Sequence, residues 1–170
     1  MSFLKIFSIQ KPPQKLGFLN LNCLLSTWVG TGLLRPMPGT LGSFVAVAFG
    51  YVVSTMGFWF YMAVLCFLII AAYYAVSAYE RASEDHDDQS IVIDEVIGIM
   101  IAGIPAIFEP GLWLWAFLLF RFFDIIKPFP ISWVDQKIKG AWGVLLDDIL
   151  AGFVAFMGTA TLGYYALFTV

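Results

Sequence analysis

Charge is what this sequence has least of. Asp, Glu, Lys and Arg make up 12% of its 170 residues and hydrophobic residues 61%, where a soluble domain carries about 25% charged and about 45–50% apolar residues. A soluble fold of this length has too little interior to hide so much apolar surface. The composition, with a mean hydropathy of +0.86, therefore points to an integral membrane protein. Histidine occurs once, at His86, which excludes the two-histidine lipid phosphatases. The two cysteines, Cys23 and Cys66, lie far apart in apolar surroundings. They form no CxxC pair, and neither is followed by the arginine of a cysteine phosphatase. Both read as small buried hydrophobes. A DxDxT/V nucleophile of the haloacid-dehalogenase type is missing as well. No basic stripe exists, which excludes a nucleic-acid partner, and there is no internal repeat or low-complexity tail.

What is present is a series of apolar runs, and one domain over residues 1–170 accommodates the length. Residues 1–15 form a polar head with Lys5, Lys11 and Lys15. Leu16 to Val29 is too short to span a membrane alone, since a spanning helix needs about 17–25 residues. It is expected to lie at the membrane surface or against the bundle. Gly30 to Ser43, GTGLLRPMPGTLGS, is dense in glycine, proline and hydroxyls and predicts an irregular loop. Helices are predicted from Phe44 to Met56, Phe58 to Tyr79, Ile91 to Phe108, Leu112 to Ile126 and Leu145 to Val170, with Asp147 and Asp148 in the first turn of the last. The expected class is all-α: a polytopic membrane helical bundle with short helices and irregular cytoplasmic-side loops.

With turns at Gly57 and at Glu109-Pro110-Gly111, successive helices alternate in direction. All nine Lys and Arg then fall at or near one face, and so does every acid except Glu109. By the positive-inside rule that face is cytoplasmic, which predicts a multi-pass protein of the bacterial inner membrane with its polar site at the inner-leaflet headgroups.

The stretch FRFFDIIKPFPI, Phe120 to Ile131, sets Arg121, Asp124 and Lys127 in an otherwise nearly charge-free region. A charge at the centre of a spanning helix costs roughly 2.5 to 3.5 kcal/mol even on lenient scales, so these three require a purpose. Arg121 and Asp124 have the i, i+3 spacing of a structural ion pair, and Asp147 has the position of a helix cap. Yet Asp87, Asp94-Glu95, Asp124 and Asp147-Asp148 can all meet at the same face. A carboxylate cluster repels itself unless a cation neutralises it, and oxygen-only ligands favour Mg2+, then Mn2+ or Ca2+. Arg121 and Lys127 suit phosphate oxygens. Metal-binding acids beside cations at headgroup depth point to phosphate-ester chemistry on a phospholipid. With no covalent nucleophile in view, attack by a metal-activated water is the simplest scheme. Asp85 and Asp88 read as solvated loop charges and Lys137 and Lys139 as lipid-surface anchors. His86 is either a surface residue or an acid/base near neutral pH.

Four pieces, PGTLGS (Pro38 to Ser43), HD with SIVIDEVIG (His86-Asp87, Ser90 to Gly98), FRFFDIIKPFPI and GVLLDDILAG (Gly143 to Gly152), occur in the order and spacing of one family. The chain resembles phosphatidylglycerophosphatase A. The resemblance implies a Mg2+-dependent membrane phosphatase acting on phosphatidylglycerol phosphate, with an all-helical core. It also implies Asp94, Glu95, Asp124 and Asp148 as the metal set, Asp147 and Asp87 as further members, Arg121 and Lys127 as phosphate binders, and Thr40 as a phosphate contact. Gln89 stands where the family often has glycine, and Arg35 matches no family position. Two other classes fit less well. A CDP-alcohol phosphatidyltransferase would carry a DGxxAR pattern that is missing here. An ion transporter would carry acids at mid-bilayer and a polar path to both faces, whereas the second face has only Glu109.

Overall fold

The computed structural model describes residues 8–13, 15–83 and 88–168, with side chains described as far as 165. Asp87 and His86 of the acidic loop, and Lys5 of the head, lie outside the described residues. Seven helices follow one another: α1 (Leu21–Ser26), α2 (Pro38–Ser54), α3 (Phe58–Ala82), α4 (Ile93–Ala102), α5 (Trp113–Ile126), α6 (Ile131–Lys137) and α7 (Ala141–Phe168). The expected all-α class needs one addition. Two short strands, β1 (Ser8–Ile9) and β2 (Leu34–Arg35), pair antiparallel and fasten the head to the segment before α2.

Several boundaries differ from expectation for local reasons. PGTLGS is not loop but the start of α2. Pro38 takes the first helical position, where its fixed φ and missing N–H cost nothing. Its glycines serve contact: a methyl group on Gly42 would lie 2.9 Å from Val92 Cβ. The apolar run from Leu16 yields only the six-residue α1, capped by the Asn20 side chain on the Asn22 N–H at 2.9 Å. It packs against α3 in the bundle. The run from Ile91 ends as a helix at Ala102 and continues in a 3-10 turn at Pro105–Ile107. α7 starts at Ala141, so Asp147 stands in its second turn and is not a cap. Cys23 is buried as expected, but Cys66 is exposed on the outer face of α3.

α4 is the centre of the bundle. Eight of its ten residues are buried, and its most extensive packing is against α7. Its C-terminal carbonyls, left without intrahelical partners, are met in part by Tyr61, whose hydroxyl donates to the Met100 carbonyl at 2.7 Å. Trp113 of α5 covers the far end, against Gly50 and Gly103, where any Cβ would fall within 2.5 Å of the indole.

Two helices, Phe58–Ala82 and Ala141–Tyr165, are long and apolar enough to cross a membrane, and α2 is a shorter apolar helix. The outer surface carries exposed Phe67, Ile70, Tyr74, Ile125, Phe153 and Met157, an apolar coat that soluble monomers rarely show. The alternation of helix direction is observed. α2, α4 and α7 begin, and α3 and α5 end, at one cavity that gathers their polar residues.

Candidate active site

The site exists because α4 and α7 touch backbone to backbone. Gly98 and Gly152 face each other. A Cβ on Gly152 would lie 2.6 Å from the Gly98 carbonyl oxygen, and one on Gly98 would lie 2.9 Å from that of Asp148. Asp94 and Asp148 each sit one turn before their glycine, and residues four apart share a helix face. The two helices run the same way from this contact, so it draws the two carboxylates together. Glu95 is held from the other side. It lies so near Gly39 of α2 that a methyl there would meet Glu95 Oε1 at 2.1 Å.

Carboxylate oxygens of Asp94, Glu95 and Asp148 lie within 4.8 Å of one another. Asp148 is buried, 4% exposed, and Asp94, Asp124 and Asp147 all act on its charge. Asp124 accepts a hydrogen bond from Arg121 Nη1 at 2.6 Å. The same nitrogen stands 3.7 Å from Glu95 Oε1 and 3.5 Å from Ser43 Oγ. Arg121 and Asp124 therefore are an i, i+3 ion pair, and that pair is also the rim of the carboxylate group.

A second cluster lies beside the first. Lys127 Nζ donates to Asp135 Oδ1 and to Asp147 Oδ2, both at 2.6 Å. Lys127 ends α5 in the left-handed region, φ 45, which turns its side chain away from the helix path and is uncommon for a residue other than glycine. Burial pulls the ammonium pKa down, but hydrogen bonds and charge from Asp135 and Asp147 outweigh it and hold it above the ordinary value of 10.5. A raised lysine pKa stabilises the fold in full below about 10.5, and that contribution fades only as pH climbs through the folded value. The Lys127 ammonium thus stays charged across the neutral range. Asp135 is a site residue that the sequence reading missed. It lies eight positions past Lys127, beyond two prolines, and neither helical spacing nor a motif marks it. Replacing Lys127 with alanine leaves two carboxylates facing each other without their cation. The expected loss is about 2 kcal/mol of stability, the cost of stranding groups in charged hydrogen bonds, with at least about tenfold lower activity. Thermal unfolding and phosphate-release kinetics on the same preparation check this; an unchanged melting temperature contradicts it.

The remaining predicted residues are placed as follows. Thr40 lines the cavity from the first turn of α2, together with Met37, Pro38 and Gly39. The Nη1 atom of Arg35 donates to Gln89 Oε1 at 2.7 Å and its Nη2 to Gln10. Arg35 therefore ties the head to Gln89. Asp88 is not a solvated charge. It accepts from the Ser90 N–H at 3.0 Å and the Ser90 hydroxyl at 2.8 Å, folding the loop back toward α4. Lys139, expected at the lipid surface, lines the cavity, whereas Lys137 is not among its lining residues.

The donor set suits a hard divalent cation. All candidate ligands are carboxylate oxygens, and Glu95 Oε2 and Asp147 Oδ1 are buried without a hydrogen-bond partner. Buried polar atoms are ordinarily satisfied. Among the described residues, eight carboxylates but only four Lys and Arg line the cavity of about 1150 Å3, a surplus that would repel a phosphate unless further positive charge entered.

Comparison with known proteins adds an independent line. A 37% identical protein of Haemophilus influenzae, named phosphatidylglycerophosphatase A, aligns over 92% of this chain and 97% of its own length. The Escherichia coli protein of the same name is 35% identical over 78% of this chain and 77% of its own. A Bacteroides thetaiotaomicron protein provisionally named phosphatidylinositol-3-phosphatase is 32% identical over 79% and 88%. No solved structure matches. The sequence model of the family described as phosphatidylglycerophosphatase A matches residues 24–162, a span that includes both carboxylate clusters, and the chain belongs to that family.

Proposed function

We propose that this protein is a Mg2+-dependent phosphatidylglycerophosphatase: a single-domain, multi-pass protein of the bacterial inner membrane that hydrolyses phosphatidylglycerol phosphate at its cytoplasmic face. The observation that carries this is the meeting of Asp94, Glu95 and Asp148 beside the Arg121–Asp124 pair in a chain of this family. The exposed apolar coat and two long apolar helices support the membrane reading. The gathering of polar helix ends on one side supports a site at headgroup level.

In this reading Asp94, Glu95 and Asp148 hold the cation, with Asp124 and Asp147 at its edge, and Asp87 is a further candidate ligand. Bound Mg2+ would neutralise phosphate charge and lower the pKa of an attacking water. Arg121 and Lys127 face the phosphate oxygens, where fixed positive charge stabilises the charge that spreads in the transition state. Thr40 and the N-terminal N–H groups of α2 add hydrogen-bond donors on the phosphate side. Glu95 is braced by Gly39 and by Arg121, so neither it nor the guanidinium has to reorganise during the reaction. The Lys127–Asp135–Asp147 triad fixes the segment between α5 and α7.

Phosphate release from phosphatidylglycerol phosphate in detergent, with and without EDTA, tests this reading. Chelation is expected to abolish release and added Mg2+ to restore it. Full turnover in EDTA contradicts the metal assignment. No turnover with Mg2+ on this lipid contradicts the substrate.

A further inference from the structure

The cavity is larger than one phosphate requires. A volume of about 1150 Å3 lies just above the roughly 300–1,000 Å3 of sites that enclose a whole small ligand. Among the described residues four cations line it: Arg81, Arg121, Lys127 and Lys139. Two are already committed, Arg121 to Asp124 and Glu95, and Lys127 to Asp135 and Asp147. Arg81, in the last turn of α3, and Lys139, in the link between α6 and α7, form no ion pair among the described residues. Those two segments adjoin. A methyl on Gly140 would lie 3.9 Å from Glu80 Oε2, which brings the residue after Lys139 against the residue before Arg81. Arg81 and Lys139 are exposed while Asp148 is buried, so these two cations stand at the mouth, with the Glu80 carboxylate beside them, and the group of Asp94, Glu95 and Asp148 lies at the floor.

The phosphatidylglycerol phosphate headgroup carries two phosphates of different charge. The terminal monoester is a dianion, and the bridging diester, one glycerol unit away, is a monoanion. Resting on the substrate reading above, we propose that Arg81 and Lys139 form a second anion station at the cavity mouth that takes the bridging phosphodiester, while the terminal phosphate occupies the carboxylate floor beside Arg121. The two committed cations stand with the carboxylates, where the terminal phosphate is held, which leaves Arg81 and Lys139 for the monoanion. A lipid entering from the headgroup layer also meets the mouth with its diester and the floor with its free end. The station makes the site selective for lipids with a phosphomonoester beyond a diester.

The test compares wild type, the double variant R81Q/K139Q and K137Q in detergent micelles. K137Q removes the same charge two residues from Lys139 but outside the cavity lining. For phosphatidylglycerol phosphate the double variant is expected to raise KM at least about tenfold, since the loss of even one charge-assisted contact is worth that factor. For phosphatidic acid, which has no bridging diester, KM stays near that of wild type. Binding of the product phosphatidylglycerol, which keeps the diester and has lost the monoester, is read directly by titration and weakens by a similar factor. That measurement needs no turnover, so it remains decisive even where the hydrolysis reading fails in the EDTA experiment. R81K/K139R is expected to restore most of the affinity. The proposal is overturned if phosphatidylglycerol binds both proteins equally, if K137Q has the same effect as the double variant, or if both lipids lose affinity alike.

Discussion

Replacing Asp148 with asparagine is expected to lower phosphate release by about a thousandfold while the protein stays folded. Asparagine has nearly the same shape as aspartate, so the contact of α7 with α4 through Gly98 and Gly152 is preserved. What changes is charge. Asp148 sits among Asp94, Asp124 and Asp147, and removing one negative charge from such a group relieves repulsion. Without metal the variant should therefore melt at or above the wild-type temperature. With Mg2+ the order reverses. A cation that binds only the folded state stabilises it by mass action, about 2.7 kcal/mol at a hundredfold excess over its Kd, and a site lacking one buried carboxylate loses most of that gain. Loss of one preorganised charged group in a catalytic site commonly costs a factor of about a hundred to a thousand, and loss of a ligand belongs at the upper end. Thermal unfolding with and without Mg2+, beside the kinetics, separates the possibilities. A variant that keeps the Mg2+-induced shift and its turnover removes Asp148 from the cation site. Asp147→Asn should cost less, because one Asp147 oxygen is already taken by Lys127.

That contrast between neighbouring aspartates marks where the sequence stopped being informative. Charged residues are scarce, so each one stood out, and helix alternation put them on one side. The meeting of α2, α4 and α7 starts with α3 and α5 ends was legible for that reason, as were Asp94 and Glu95 in the first turn of α4 and the pairing of Arg121 with Asp124. What the sequence hid was how each charge is partnered. Asp135 lies past Pro128 and Pro130, where no periodicity carries over, so the sharing of Lys127 between Asp135 and Asp147 could not be foreseen. PGTLGS was misread because proline and glycine signal turns when read locally. Here proline begins a helix and the glycines admit Glu95 and Val92. Asp147 and Asp148 were placed one turn too early in the last helix because the polar, glycine-bearing link obscured the true start of α7 at Ala141. Arg35 carried no assigned role in the sequence, and only the fold sets it between Gln10 and Gln89.

Gly152→Ala is expected to damage the enzyme without touching a charge. The added methyl would sit 2.6 Å from the Gly98 carbonyl oxygen and 2.9 Å from its Cα. Both are backbone atoms of the buried central helix, so no side chain can swing aside. The clash can be relieved only if α7 withdraws from α4. Overpacking of this kind costs about 1–3 kcal/mol, occasionally more, and the shift falls on the segment that carries Asp148. Because Asp148 comes from α7 while Asp94 and Glu95 come from α4, separating the helices widens the carboxylate group, and misplacement of about 1 Å can cost around a hundredfold in rate. The expected result is a lowered melting temperature together with a rate loss of about that size and a weaker response to Mg2+. Gly158→Ala is the control on the same helix. Its methyl would meet Leu119 Cδ1 at 2.9 Å, the far end of a side chain that can move, so it should cost little in either measurement. Equal effects at the two positions would mean that the Gly98–Gly152 contact does not set the spacing of the carboxylates.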